Sequence, residues 1–113
     1  TFNMDIEALK KAITPKTKAI VPVHLFGQCA NMEAVLEIAK EHNLFVIEDC
    51  AQAHGAKYKG RSVGSIGHIG AWSFCQDKII STGGEGGMLG VSNFSLFKKL
   101  CRIYVEHNLI HRC

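Results

Sequence analysis

The spacing of hydrophobic positions changes several times along the chain. Ile6, Leu9 and Ile13 recur at helical steps behind Asn3, whose short polar side chain suits a helix start, with Asp5 and Glu7 in the first turn. A first helix is predicted there, and "TPKTK" ends it. "AIVPVHLF" (19–26) is an apolar, β-branched run and predicts a buried strand. After the loop "GQCAN", Asn31 caps a helix over 32–42, because Met32, Val35, Leu36 and Ala39 fall on one face. "LFVIED" (44–49) predicts a second buried strand with two acids at its carboxyl end. Strand, helix and strand in about 30 residues make a βαβ unit, so the two strands are expected to be parallel neighbours.

The pattern then breaks. Nine of the eleven glycines lie between positions 60 and 90, so short strands among tight turns are expected: "GAWSF" (70–74) and "GGMLGV" (86–91). "SLFKKLCRIYV" predicts a last helix. The fold class read from this order is α/β, with a mostly parallel sheet and flanking helices.

Composition narrows the function classes. The chain has 113 residues, 47% of them hydrophobic and 20% charged, which is globular composition. A net charge of +3, with lysines and acids interspersed, indicates neither nucleic acid nor membrane as a partner. No apolar run approaches the roughly 20 residues of a membrane-spanning helix. The start at Thr1, without Met or a leader pattern, leads us to expect a piece of a longer protein. The five cysteines show no C-x-x-C spacing and the six histidines no H-E-x-x-H, so no metal site is expected. An odd number of thiols without a disulfide framework points to a reducing, cytoplasmic setting.

The candidate chemistry gathers at strand ends. In open α/β sheets ligands bind beyond the carboxyl ends of the strands. Glu48 and Asp49 close one strand there and Ser73 closes another. Lys78 follows, the one Lys or Arg between Arg61 and Lys98, among small and apolar residues. An acid and an amine at neighbouring strand ends could share a pocket, or form a structural ion pair beside a solvated loop. No P-loop, dinucleotide fingerprint or G-x-S-x-G elbow is present. A cysteine nucleophile, Cys50 or Cys75 with His24 or His54, is conceivable, but nothing in the sequence orients one.

The stretch "AIVPVHLFGQCANMEAVLEIAKEHNLFVIEDCAQAHGAKYKGRSVGSIGHIGAWSF", followed by "K…GEGGM", resembles the DegT/DnrJ/EryC1/StrS family of sugar aminotransferases. The resemblance covers about residues 1–100. It implies part of the large cofactor-binding domain of a fold type I enzyme, spanning 1–113, with 101–113 departing from the family's usual course. It implies pyridoxal 5'-phosphate as cofactor, a nucleotide-linked keto-sugar as substrate, glutamate as amino donor, and a homodimer. Residue by residue, Lys78 matches the lysine that condenses with the cofactor aldehyde. Asp49 matches the acid under the pyridine nitrogen, Gln52 the neighbour of the phenolic oxygen, and Ser73 a phosphate ligand. His24 and Glu85 are weaker candidates, for pocket wall or for core and turn. The family's dehydratases carry His in place of the lysine, so Lys78 implies amino transfer. Asp49, Gln52, Ser73 and Lys78 are expected to face one cavity. A catalytically dead paralogue and a non-enzymatic α/β binding module remain as alternatives.

Overall fold

The structure, a computed structural model, describes residues 2–106. Its centre is a four-stranded sheet in the order β1-β2-β5-β6. These strands are β1 (Ala19–Ile20), β2 (Phe45–Asp49), β5 (Ile69–Ser73) and β6 (Gly87–Val91). β1, β2 and β5 run parallel, and β6 closes the row antiparallel to β5. Between β2 and β5 the chain makes a small hairpin, β3 (Lys57–Tyr58) with β4 (Arg61–Ser62). The helices are α1 (Ile6–Ala12), α2 (Met32–Glu41) and α3 (Phe94–Glu106).

The βαβ unit is as its hydrophobic pattern predicts: Ala19 lies opposite Phe45 and Ile20 opposite Val46 in parallel register, joined through α2. Asn31 caps α2, its Oδ1 accepting from the Ala34 N–H at 3.4 Å. The helix buries Met32, Val35, Ile38 and Ala39 against Ile20, Leu44 and Val46 of the sheet layer and Ile66 of a later turn. Each large side chain among these contributes about 1.5–3 kcal/mol over remaining exposed.

Three local expectations are corrected. Asn3 does not cap α1. Asp5 does, with its Oδ1 accepting from the Ala8 N–H at 2.8 Å, while Asn3 Nδ2 donates to the Cys29 carbonyl at 3.1 Å. The strand expected over 19–26 holds regular pairing for Ala19–Ile20 alone. Pro22 has no N–H to give a ladder, and a turn at Leu25–Gly27 follows, with Phe26 at φ 54°. The segment stays alongside β2 all the same. The Asp49 N–H donates to the Pro22 carbonyl at 2.9 Å and the His24 N–H to the Asp49 carbonyl at 3.0 Å. Finally, the buried stripe of α2 includes Ile38, with Leu36 half-buried.

Strand alternation divides the sheet into two faces. Val46, Glu48 and Gly70 point to the α2 side and are buried, whereas Phe45, Ile47, Asp49 and Ala71 lie on the other side and are half-buried or exposed. Phe45 is 50% exposed there, so this face lacks a covering layer among the described residues. The atypical tail expected over 101–113 begins inside α3, and its last part, 107–113, lies outside the described residues.

Candidate active site

Beyond the carboxyl ends of β2 and β5 the chain folds over a cavity of about 420 Å³, lined by Phe26, Gly27, Ala51–His54 and Asp77–Ile79. That volume is in the range of small-molecule sites. The Lys78 amine enters from the loop after β5, where the Lys78 N–H closes a turn on the Cys75 carbonyl at 3.0 Å. Its side chain is 22% exposed, and its Nζ lies 3.4 Å from Asp77 Oδ1. The lysine that stands without basic neighbours in the sequence thus has an acidic neighbour in space. Cys75, and next the Lys78 cation, hold the Asp77 carboxyl below its ordinary value.

Gln52 is fixed by its loop. Its Oε1 accepts from the Phe26 N–H at 3.1 Å, so the amide NH2 is the end that remains as a donor. This bond crosses to the positive-φ turn at Phe26 and ties the two walls of the cavity together. His54 stands beside Gln52 in the lining, its ring 5.5 Å from that of Phe74. Both His54 ring nitrogens are shielded from water and have no hydrogen-bond partner among the described residues. Buried polar atoms are seldom left in that state. His54 is the member of this cavity that the sequence did not single out for it, and only its place in space reveals it.

The cavity therefore brings Gln52 and Lys78 together, but not all four expected residues. Asp49 and Ser73 lie outside its lining, at the carboxyl ends of β2 and β5. The register places Asp49 opposite Ala71, and Ser73 two residues further on, so both belong to the uncovered face of the sheet. Asp49 Oδ1 accepts from the Ala51 N–H at 3.0 Å, and Ser73 Oγ from the Cys75 N–H at 3.4 Å.

The two weaker candidates resolve differently. His24 is fully buried: its Nε2 lies 3.0 Å from Glu48 Oε2, and its Nδ1 accepts from the Ala30 N–H at 3.1 Å. An N–H pointing at Nδ1 requires a lone pair there, so the ring proton is on Nε2 and donates to Glu48. Glu85 is exposed, and its Oε1 accepts from the Cys75 thiol at 3.2 Å.

Neither conceivable thiol, Cys50 or Cys75, is prepared as a nucleophile. Burial, with the Glu48 charge behind it, pushes the Cys50 thiol up to about 12. The Glu85 carboxylate raises Cys75 as well. Both nitrogens of His24 are engaged elsewhere. Donor atoms of His24, Glu48 and Cys50 do lie within 4.8 Å of one another. A cation there would have to displace the hydrogen bonds those groups already make.

Glu48 carries four of these bonds. Besides His24, its carboxylate accepts from Gly64 at 2.7 Å, Ile66 at 2.8 Å and Gly67 at 2.6 Å, all backbone N–H groups. Burial alone would push this carboxyl up, but His24 and the three amides more than offset it and hold Glu48 below its ordinary 4.5. A depressed folded-state pKa stabilises the fold fully above the unfolded value, and that stabilisation is lost as pH falls through the folded value. The melting temperature of the full-length protein is therefore expected to fall as pH is lowered from about 4.5, the ordinary value. Glu48→Gln should flatten that acid limb. Identical acid limbs in the two proteins would contradict this.

Comparison with known proteins matches the chain over residues 1–111 to the sequence profile of the DegT/DnrJ/EryC1/StrS aminotransferase family. GDP-perosamine synthase of Caulobacter vibrioides is 51% identical over 100 residues, which are 88% of this chain and 27% of that protein. Among solved structures, the aminotransferase from Psychrobacter cryohalolentis superposes with a TM-score of 0.84 at 60% identity, covering 87% of this chain and 25% of that one. DesV of S. venezuelae, solved in complex with a ketimine intermediate, superposes with a TM-score of 0.82 at 42% identity, covering 87% and 26%. The chain thus spans about a quarter of the length of these relatives. Among the described residues, no helix is long and apolar enough to cross a membrane.

Proposed function

This chain belongs to the DegT/DnrJ/EryC1/StrS aminotransferase family, and from that premise we propose that its full-length protein moves an amino group from glutamate to a nucleotide-linked keto-sugar, with pyridoxal 5'-phosphate as cofactor. The observation that carries this reading is the Lys78 amine in a small-molecule-sized cavity beside Gln52 and the unpartnered imidazole of His54. GDP-perosamine synthase, by its name, supports a nucleotide sugar as the substrate class.

The residues present suit the cofactor. When bound, it supplies an aldehyde for an amine to condense with and an aromatic ring that draws electrons from the reacting carbon. Lys78 would be the amine that condenses with that aldehyde and the base that moves the proton at the reacting carbon. Asp49 is an acceptor suited to holding a proton on a ring nitrogen. The NH2 group of Gln52, left over after Oε1 binds Phe26, suits a phenolic oxygen. Ser73 supplies a hydroxyl for a phosphate without bulk. Among the described residues the free thiols Cys29, Cys50, Cys75 and Cys101 suit the reducing cytoplasm. The uncovered sheet face suits a protein completed by further chain and by a second subunit.

The test is direct. Full-length protein mixed with pyridoxal phosphate should develop an absorbance band at the edge of the visible, and borohydride should fix the label on Lys78. A label found on another lysine would end the assignment. Asp49→Asn should still bind the cofactor, because one lost hydrogen-bonding partner costs about 1–3 kcal/mol. It should nevertheless lose most of the turnover, since a neutral amide does not hold the ring proton. Full turnover in Asp49→Asn would remove Asp49 from the site.

A further inference from the structure

We propose that Glu48 is a positioning residue: its buried carboxylate, braced by His24, fixes the Gly64–Gly67 turn and thereby the register of β2 against β5, which sets Asp49 and Ser73 on one face of the sheet. The inference rests on the functional reading above and adds to it a residue that touches neither cofactor nor substrate.

A carboxylate in this position is costly. Glu48 is fully buried, and so is its one side-chain partner, His24. Because His24 Nδ1 accepts from Ala30, the ring meets Glu48 as a neutral donor and not as a cation. The charge is held instead by four N–H dipoles, three of them from the backbone of one turn. A hydrophobic side chain would fill the same volume without this desolvation cost. What it could not do is tie Gly64, Ile66 and Gly67 to β2.

The turn so tied leads directly into β5. Gly64 packs on Trp72 and on Gly70, close enough that a methyl group on any of these glycines would collide. One residue past the turn, the His68 N–H donates to the Val46 carbonyl at 2.9 Å, and the Val46 N–H donates to His68 Nδ1 at 3.0 Å. From there β5 pairs Ile47 with Ile69, Glu48 with Gly70 and Asp49 with Ala71. A slip of one residue would carry Ser73 to the α2 side of the sheet, away from Asp49. The Glu48 side chain opposes that slip from one face, while its next residue, Asp49, is the acid of the other face. His24 extends the brace to the third segment, since its own N–H bonds the Asp49 carbonyl.

Three full-length proteins decide the matter: wild type, Glu48→Gln, and Val35→Ala as a core variant that removes apolar packing but none of the clamp's hydrogen bonds. The first measurement is amide hydrogen exchange without cofactor. In Glu48→Gln, exchange at Gly64, Ile66 and Gly67 should accelerate by about tenfold or more, as expected when buried amides lose their acceptor. Exchange within α2 should not change. The second is affinity for pyridoxal phosphate, read by absorbance well below the melting temperature. It should fall about tenfold in Glu48→Gln and stay near wild type in Val35→Ala, even where Val35→Ala melts lower. A merely structural role for Glu48 would instead make affinity follow melting temperature in both variants, and that result overturns the proposal. So does unchanged exchange at the turn. If Glu48→Gln does not fold, His24→Gln and His24→Leu replace it. Glutamine offers both an acceptor for Ala30 and a donor for Glu48, so it should preserve slow exchange and affinity, and leucine should not. Equal behaviour of that pair overturns the proposal as well. If wild-type protein takes up no pyridoxal phosphate, the functional reading fails, and the exchange data still decide whether the clamp exists.

Discussion

Lys78→Ala in the full-length protein is expected to abolish amino transfer, the largest single effect foreseen for this chain. Under the proposed function two duties would end together, because the amine assigned to bonding the cofactor is also the one assigned to moving the proton. No second primary amine lines the cavity, whose other polar side chains are Gln52, His54 and Asp77. The fold should survive. The Lys78 side chain is partly exposed and its ion pair among the described residues is with a largely exposed acid, an interaction that contributes about 0–1 kcal/mol. The experiment is amino transfer to a keto-sugar nucleotide, followed with the melting curve and the cofactor spectrum. Turnover at the parent rate in a folded Lys78→Ala protein would refute the assignment. A folded protein that still takes up cofactor without covalent attachment, and does not turn over, is the expected result.

Gly70→Ala is expected to be the most damaging single-methyl substitution in the sheet. A Cβ built on Gly70 would run into the backbone of Gly64, at its Cα, carbonyl carbon and oxygen, and backbone cannot swing aside as a side chain can. Gly64 cannot retreat, because its N–H is held by Glu48 at 2.7 Å and Trp72 lies on its other side. Overpacking in a core costs about 1–3 kcal/mol, and a rigid neighbour places this site at the top of that range or beyond it. Gly84→Ala is the control. Nothing lies within 4 Å of the added methyl and its backbone is not in the left-handed region, so its effect should be within about 0.5 kcal/mol. Urea unfolding of both variants measures the difference. Equal stabilities would show that the turn and β5 do not pack as described.

The acid limb of the melting curve, the label on Lys78 and the exchange rates at residues 64–67 test neighbouring parts of one construction. They share a cause: the ends of β2 and β5 are held by polar groups as well as by apolar contact. The larger apolar cluster lies under α2, and a smaller one, Cys50, Ala53 and Val63 with Trp72 packed against it, lies near the cavity end. The cavity end relies on Gln52 bonding Phe26, on Glu48 bonding the turn, and on backbone bonds between residues 22–24 and Asp49.

Much of this was legible in the sequence, for a physical reason. The apolar runs at 19–26 and 44–49 and the helical stripe between them are local patterns, and a βαβ unit follows from them with its parallel pairing. The motif order carried Lys78, Asp49, Gln52 and Ser73 as candidates and carried the family. What the sequence leaves open depends on which segments meet. Nothing local distinguishes Glu48 from Asp49 as the buried acid. Strand alternation gives them opposite faces, but only the packing of α2 and of the 64–67 turn decides which face is dry. Nothing local tells whether Asn3 or Asp5 begins the first helix, since both suit a cap, and contact between Asn3 and Cys29 decided it. The glycines at 64 and 70 read as turn and strand punctuation until their backbones are seen to touch. His54 gains meaning from a cavity whose walls come from three separate segments. Periodicity and motif determined the elements and named the candidate amine, because both are properties of neighbours in the chain. Burial of one carboxylate, contact of two glycines and enclosure of one imidazole were decided by the tertiary structure, because each needs residues far apart in sequence to arrive at the same place.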